Sequence, residues 1–386
     1  LRLIRLALVV RRFWPFVGGV ERTLANMAVE MVESGAEVTI LTAKLDSSWP
    51  AEIDYRGVAV VRLPYWNRFG NILYHNVLGR WLRANRDRFD VVCVSSLKQE
   101  ARTAVKAIGR LRPVVLRAED SGRFGDCIWQ LHATGGRSIK RQCLKAATFV
   151  GPSRIAEREL QAAGYPRDRI TYIPNGPMPT DQRSEERRAV AREALANIDP
   201  SFRMQSSAPL VVYNGRLAES SGLAHLLAAW GAIVARWPNA RLYLCGDGPY
   251  RRELARQISA LKIGHSVSMI GSFGQVEDLL AAANLFVLPT IQEGLSIELL
   301  EAMEAGLPIV ATQLQSNLEW LTAGQNSLCV PTKDANALRD AIQVVLEQPE
   351  VAKALGRVAK EGVENDFPLA RMVDEHLSLF ESLIDA

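Results

Sequence analysis

Short apolar runs alternate with helical patterns along almost the whole of this 386-residue chain, and they do so in two series. The first series reads as strand 2–10, helix 19–34, strands 37–42 and 58–63, helix 71–85, strand 91–95 and helix 99–109. It continues with strand 113–117, helix 137–146, strand 147–150, helix 153–163 and strand 169–173. Runs such as VVCVS and TFVG are apolar on successive residues, which suits parallel strands covered on both faces. A polar stretch, 174–209, then intervenes; it opens rich in Pro and Gly and turns charged and helical. The second series has strands at 209–214, 241–245, 267–270, 284–288, 308–311 and 327–330. Its helices fall near 222–236, 249–262, 275–283, 295–305, 315–322 and 334–348. Helix 295–305 stops at Gly306 with Pro308 beyond. Two last helices, 350–363 and 367–385, are broken by Phe367-Pro368.

Alternation of this kind predicts two doubly wound parallel sheets, and the length is too great for one ordinary core. The expected organisation is a first domain at 1–178, a connecting segment at 179–207, a second domain at 208–364, and a terminal segment at 365–386. Ligands of such folds collect at the carboxyl ends of the strands, so two facing sheets would share one cleft.

Composition narrows the function classes. No apolar run approaches the roughly 20 residues that span a bilayer. The opening LRLIRLALVV is interrupted by Arg5 and lacks a small-residue cleavage site, so it reads as a buried first strand after a missing or unusual start codon, not as a signal peptide. Five scattered cysteines without C-x-x-C spacing predict reduced core thiols in the cytoplasm, and five spread histidines predict no metal cluster. Charge is uneven. Residues 1–180 hold 28 Lys and Arg against 16 Asp and Glu (+12), and the remainder 18 against 26 (−8). Stretches such as RWLRANRDR (80–88) and RSIKRQCLK (137–145) are either solvated helix faces or a cationic surface for an anionic acceptor or membrane face. No aromatic stacking pattern or DNA-reading motif points to nucleic acid.

Four loops at predicted strand ends can hold a ligand. In FVGGVER (16–22), Gly18 and Gly19 either simply turn the chain or let backbone approach a ligand at a helix N-terminus. It is not G-x-G-x-x-G, so a nicotinamide site is unsupported. NGRLAESSGL (214–223) pairs a glycine turn with one cation, Arg216. GDGPYRREL (246–254) is another glycine turn, in which Asp247 can serve only to order the backbone. LPTIQEGLSIELLEAMEAGLPIV (288–310) sets Glu293 and Gly294 at the mouth of a helix and Glu301 two turns inside it. A carboxylate can take both hydroxyls of a vicinal diol, while the helix N-terminus offers N–H groups to a phosphate. That combination suits diols flanking a diphosphate. Alternatively, Thr290-x-x-Glu293 is a capping box, and Glu298, Glu301 and Glu304 form one solvated face.

The run from Glu293 to Thr312, E-G-L-x5-E-A-M-x-A-G-L-P-I-V-A-T, closely resembles the signature of the family 4, or group 1, glycosyltransferases. IPNG (173–176), the GGVE turn and NGRL occur in the matching order, so the resemblance covers about 1–350. It implies the GT-B fold, with two Rossmann-like domains around a nucleotide-sugar and a final helix crossing back to the first domain, which 367–385 would supply. It also implies a retaining, metal-independent hexosyltransferase without a cofactor, acting on a glycan, lipid-linked or small-molecule acceptor, as in polysaccharide biosynthesis. Placed by position, Arg216 would bind the diphosphate, Glu293 the donor sugar and Glu301 the ribose, with Gly215, Ser221, Gly294 and Leu295 completing the donor site. Gly18 and Gly19 would close over the diphosphate from the first domain, which would also take the acceptor. A basic acceptor domain suits an anionic acceptor and a cytoplasmic protein, peripheral at the inner membrane face.

Three departures stand out. The family's G-R-L-x-x-x-K-G has Ser221 in place of its lysine. Ala118 or Glu119 stands where many members carry a histidine, which makes Glu119 a candidate catalytic group. QLQSNLEW (313–320) replaces a glycine-rich turn. A charged hydrogen bond is worth about 1.5–3 kcal/mol against about 1 for a neutral hydroxyl, so the missing lysine predicts a loss of about one to two decades in rate or donor affinity. Ser221 is also placed to cap the helix that begins at Gly222. The departures leave two alternatives: a member that binds nucleotide or glycan without turnover, and a GT-B phosphorylase or epimerase.

Overall fold

The computed structural model describes residues 3–16, 18–65, 70–272, 276–292, 294 and 296–386, without the side chains of 70–72, 124 and 201. The chain divides into two compact units, Leu1–Gly176 with Leu369–Ala386, and Pro177–Pro368.

The first unit is built on an eight-stranded sheet. Its strands are β1 (Arg5–Val9), β2 (Glu37–Lys44), β3 (Glu52–Tyr55), β4 (Val58–Pro64), β5 (Val91–Ser95), β6 (Val114–Arg117), β7 (Thr148–Gly151) and β8 (Ile170–Tyr172). They lie in the order β3-β4-β2-β1-β5-β6-β7-β8, and every pair is parallel except β3–β4. β5, β6 and β7 are buried at every position, as their largely apolar sequences suggest. The helices are α1 (Gly19–Glu33), α2 (Gly70–Ala84), α3 (Gln99–Ile108), α4 (Asp126–His132), α5 (Gly136–Cys143) and α6 (Arg154–Ala162). β3 and α4 were not expected from the sequence. β3 is a half-exposed edge strand with no apolar run to signal it. It is turned onto β4 by Arg56 and Gly57, both at positive φ, in a two-residue hairpin.

The second unit carries a six-stranded, all-parallel sheet in the order β11-β10-β9-β12-β13-β14. Its strands are β9 (Leu210–Asn214), β10 (Arg241–Cys245), β11 (Val267–Gly271), β12 (Leu285–Leu288), β13 (Ile309–Thr312) and β14 (Leu328–Val330). The helices are α7 (Glu185–Ile198), α8 (Leu223–Arg236), α9 (Arg251–Ala260), α10 (Val276–Ala282), α11 (Ile297–Glu304), α12 (Ala335–Glu347) and α13 (Pro349–Asp366). The two expected parallel sheets are thus present, and each unit has its own apolar core.

Two expectations change. Residues 179–207, read as a connecting segment, include α7, which is integral to the second unit. Ala191 and Leu195 join that unit's core. The buried Arg192 guanidinium donates to the carbonyls of Ala282 (3.1 Å), Ser206 (2.6 Å) and Ala208 (3.0 Å) and to Asn284 Oδ1 (2.8 Å). The charged composition that suggested a linker hides an arginine used as an internal strut. Residues 315–320 form consecutive turns where a helix at 315–322 was expected. Asn317 Nδ2 donates to the Thr312 carbonyl at 2.9 Å, and the Trp320 ring packs edge-on to Phe367 at 4.5 Å. Asn competes locally with helix formation, and here tertiary packing rewards the competitor.

The last helix, α14 (Leu369–Ile384), belongs to the first unit and packs on α1 and β5. IPNG explains part of its seating. Gly176 N–H points at Met372 Sδ (3.3 Å), and the buried Asn175 side chain accepts from the Arg117 guanidinium at the end of β6. His376 of α14 is wholly buried, with Nδ1 2.7 Å from the Met372 carbonyl. Burial and the nearby Arg117 charge press its pKa down to about 3. The unfolded chain takes up this proton near pH 6.5, and the folded protein does so only near pH 3. The stability this confers is therefore full above pH 6.5 and is lost as pH falls through that window. Urea unfolding between pH 6 and pH 4 is expected to show a His376-dependent loss of about 1.4 kcal/mol per pH unit, absent in His376→Leu.

Candidate functional site

Both sheets have a topological switch point, where the chain reverses the direction in which strands are added. It falls between β1 and β5 in one sheet and between β9 and β12 in the other. Loops at the carboxyl ends beside such points are where open α/β sheets bind ligands. The candidate residues fall into two sets, one at each point.

In the second unit, β9 runs into Gly215 (φ +148°), Arg216, Leu217 and a short turn, and α8 starts after Gly222 (φ +67°). The neighbouring loops brace this one through the backbone. Gly215 N–H donates to the Cys245 carbonyl (3.0 Å), Leu217 N–H to Asp247 (3.0 Å), Tyr250 N–H to Leu217 (3.0 Å) and Ile291 N–H to Ser220 (2.9 Å). The glycines of GDG are explained by crowding: a Cβ on Gly246 would lie 1.9 Å from the Gly215 carbonyl oxygen, and one on Gly248 2.2 Å from that of Leu217. Asp247 accepts from Gly248 N–H at 2.8 Å, ordering its own turn.

Ser221 is not a helix cap, contrary to expectation. Gly222 occupies the N-cap position of α8, and no side chain caps that helix. The Ser221 side chain, on a residue only 6% exposed, turns back and donates to the Arg216 carbonyl, which also accepts from Tyr213 Oη at 2.9 Å. Two hydroxyls thus fix the Arg216 backbone while its side chain lies exposed. Ser221 is thus spent on loop geometry.

The helix after β12 also starts later than expected. α11 begins at Ile297 with Ser296 at its N-cap and no side-chain cap, so Thr290 opens no capping box and Glu301 sits little more than one turn in. The Ser296 side chain therefore leaves the first N–H groups of α11 uncapped, and among the described residues no other side-chain cap is seen there, as an anion site needs. Thr312 Oγ1 donates to the Thr290 carbonyl, and this bond shapes the end of β12. Gly294 and the half-buried Glu301 lie on this edge; Glu293 and Leu295 lie outside the described residues. Glu304 has another task. It is buried, accepts from Thr180 N–H (3.0 Å) and pairs with Lys360 (3.2 Å), tying α13 and the start of the unit to α11. The supposed solvated glutamate face therefore does not hold at Glu304.

In the first unit, Gly18 stands at the N-cap of α1 with ordinary extended backbone (φ −118°). The Glu21 carboxylate folds back over it, 2.1 Å from where a Cβ would be, and as the end of a flexible side chain it could move aside. Gly19 is the first residue of α1. Glu119, two residues beyond β6, belongs to a cluster that the sequence did not suggest. Lys98, just after β5, lies 3.3 Å from both Glu119 Oε2 and the buried Asp126 Oδ1, and Asp126 Oδ2 accepts from Glu119 N–H at 2.8 Å. Burial and the Asp126 charge push Glu119 up to about 8, against the pull of Lys98. Burial alone would lower Lys98, but the two carboxylates outweigh it and hold the ammonium charged. A lysine directly after a buried strand and an aspartate opening a helix were the available signals, and neither has a spacing that links it to Glu119.

Two families match the chain: Glycosyl transferases group 1 over residues 196–362, and Glycosyltransferase Family 4 over 17–177. An uncharacterized glycosyltransferase of Methanocaldococcus jannaschii is 23% identical over 98% of both chains. The alpha-D-kanosaminyltransferase of Streptomyces kanamyceticus is 24% identical over 62% of this chain and 61% of its own. Among solved structures, Anabaena HepE in complex with UDP and glucose superposes with a TM-score of 0.76 at 17% identity, covering 98% of this chain and all of that one. Sucrose-phosphate synthase of Thermosynechococcus elongatus gives 0.80 at 20% identity, over 99% of each.

Proposed function

Because the chain belongs to the group 1, family 4 glycosyltransferases and has their GT-B fold, we propose that it moves a hexose from a nucleoside diphosphate sugar to a hydroxyl-bearing acceptor. Anomeric configuration is retained, and neither metal ion nor cofactor takes part. The observation that carries this reading is the Arg216 loop at the β9/β12 switch point, locked by Tyr213 and Ser221 and hydrogen-bonded through the Ser220 carbonyl to Ile291 N–H in the loop that leads to α11. In this reading Arg216 and the N–H groups of α11 meet the diphosphate charge, including the charge that develops as the phosphate leaves. Glu301 takes the ribose diol and Glu293 the donor hydroxyls. Solved relatives with UDP and with UDP-glucose support a nucleotide-sugar donor.

The acceptor is a glycan, a lipid-linked sugar or a small molecule, taken by the first unit, whose excess of positive charge favours an anionic one. In this reading Glu119, which follows β6 and pairs with Lys98 at 3.3 Å, hydrogen-bonds the incoming hydroxyl. The reaction takes place in the cytoplasm or at the inner membrane face; among the described residues no helix is long and apolar enough to cross a membrane.

The test is a panel of UDP-, GDP- and ADP-sugars followed for hydrolysis or transfer, with wild type and Ser221→Lys side by side. Restoring a cation beside the diphosphate is expected to raise donor affinity or rate by about tenfold. Losing the Ser221 hydrogen bond is expected to lower stability by about 1 kcal/mol. Unchanged donor affinity in Ser221→Lys would remove this loop from the donor site. Binding without turnover across the panel would identify a member that has lost catalysis, the reading that Ser221 favours.

A further inference from the structure

A second concentration of unsatisfied charge lies in the first unit, away from every residue assigned above. α2 and α3 pack side by side, and a groove of about 420 Å³ runs between them. One wall is His75, Gly79 and Arg83 of α2, and the other is Gln99, Arg102, Thr103 and Lys106 of α3. These spacings put each set on one helix face. Small residues make the floor: a Cβ on Gly79 would lie 3.4 Å from Thr103 Cγ2 and 3.8 Å from Ala107 Cβ. The walls carry three cations, and among the described residues no carboxylate lines the groove.

We propose that this groove binds a phosphorylated molecule, its phosphate held by Arg83, Arg102 and Lys106. Three observations support the assignment. First, several surface arginines of this chain are neutralised by a carboxylate: Arg154 with Glu157, Arg357 with Glu361 and Arg371 with Glu375 are held at 2.7 to 2.9 Å. Among the described residues, Arg83, Arg102 and Lys106 have no such partner. Second, Arg102 and Lys106 are like charges four residues apart on one helix, a mildly unfavourable arrangement that an anion between them would relieve. Third, among the described residues both ring nitrogens of His75 are shielded from water and have no hydrogen-bond partner. A buried polar group left unpaired calls for a ligand or an ion, and a phosphate oxygen would accept from the imidazole N–H. The one buried carboxylate in the neighbourhood, Glu100, is turned to Arg11 at 3.6 Å. Arginine suits phosphate because its planar fork can give two hydrogen bonds at once.

The phosphate can come from a soluble sugar phosphate or from a lipid headgroup, and the chemistry of the groove is the same for both. The inference stands independently of the transferase reading. Its experiment is run in an Arg216→Ala background so that the proposed diphosphate loop does not contribute. Inorganic pyrophosphate is titrated calorimetrically, and vesicles of phosphatidylglycerol or of phosphatidylcholine are co-sedimented with the protein. Saturable pyrophosphate binding, or binding to the anionic vesicles only, is expected. Either should weaken by at least about tenfold when Arg83→Gln and Arg102→Gln are added, the loss of one charge-assisted hydrogen bond. Lys106→Gln, at an exposed position, gives a second variant with little risk to folding and is expected to weaken binding in the same direction. Binding to vesicles alone identifies a lipid phosphate, and pyrophosphate binding alone a soluble one. Equal affinity with and without these cations, or no binding in either arm, would overturn the proposal.

Discussion

Arg216→Ala is expected to lower kcat/KM for the nucleotide-sugar by about two to three orders of magnitude while leaving the unfolding midpoint unchanged. The separation of the two effects follows from how the loop is held. Tyr213 and Ser221 bind the Arg216 carbonyl, which alanine keeps, and the side chain itself is exposed. Exposed truncations of this kind usually stay within about 0.5 kcal/mol. On the proposed reading Arg216 is the cation that this loop offers the diphosphate, and the Ser221 hydroxyl is already committed to the Arg216 carbonyl. Removing a fixed donor to developing negative charge costs about 3–4 kcal/mol, which sets the expected size. Steady-state kinetics together with thermal denaturation of the same preparation checks both halves. A loss below threefold with the fold intact would take Arg216 out of the diphosphate site.

Gly222→Ala is expected to do the reverse, damaging the second unit first and function through it. Gly222 has φ +67°, where an L side chain costs about 1–2 kcal/mol. A Cβ there would also stand 1.8 Å from the Pro289 carbonyl oxygen, and that neighbour is backbone at the exit of β12 with no rotamer by which to yield. Forced displacement in a packed region adds about 1–3 kcal/mol, so a loss of about 3 kcal/mol in urea unfolding is expected. Donor binding should weaken as well, because Pro289 leads into the loop before α11. A variant within 1 kcal/mol of wild type would show that the two loops do not meet as described.

Much of this architecture was readable in advance because it rests on local pattern. Buried parallel strands need unbroken apolar runs, helices need an apolar stripe, and Gly306 with Pro308 can only end a helix; these signals lie within a few residues of one another. β3 escaped because an edge strand buries too little to leave an apolar trace. Residues 315–322 misled because their helical pattern is overruled by Asn317 and by Trp320 against Phe367. Arg192 misled in the opposite direction: a charge that reads as solvent-facing is buried against carbonyls brought from 14 to 92 residues away.

The candidate site divides along the same line. The order GGVE, IPNG, NGRL and E-x7-E pointed to the family and made Arg216, Glu301 and Gly18 candidates from the string of residues alone, since each motif is contiguous and tied to a strand end. Folding alone revealed what the intervening residues do. Ser221 reads as a helix cap until its hydroxyl is seen on the Arg216 carbonyl. Asn175 reads as a turn residue until it is seen holding Arg117 beneath α14. Lys98 joins Glu119 and Asp126, 21 and 28 positions further on, only because β5 and β6 are neighbours in the sheet. Periodicity reports whether a residue faces core or solvent. The partner that a polar atom finds depends on which strand ends the sheet order sets side by side, and no local pattern carries that order.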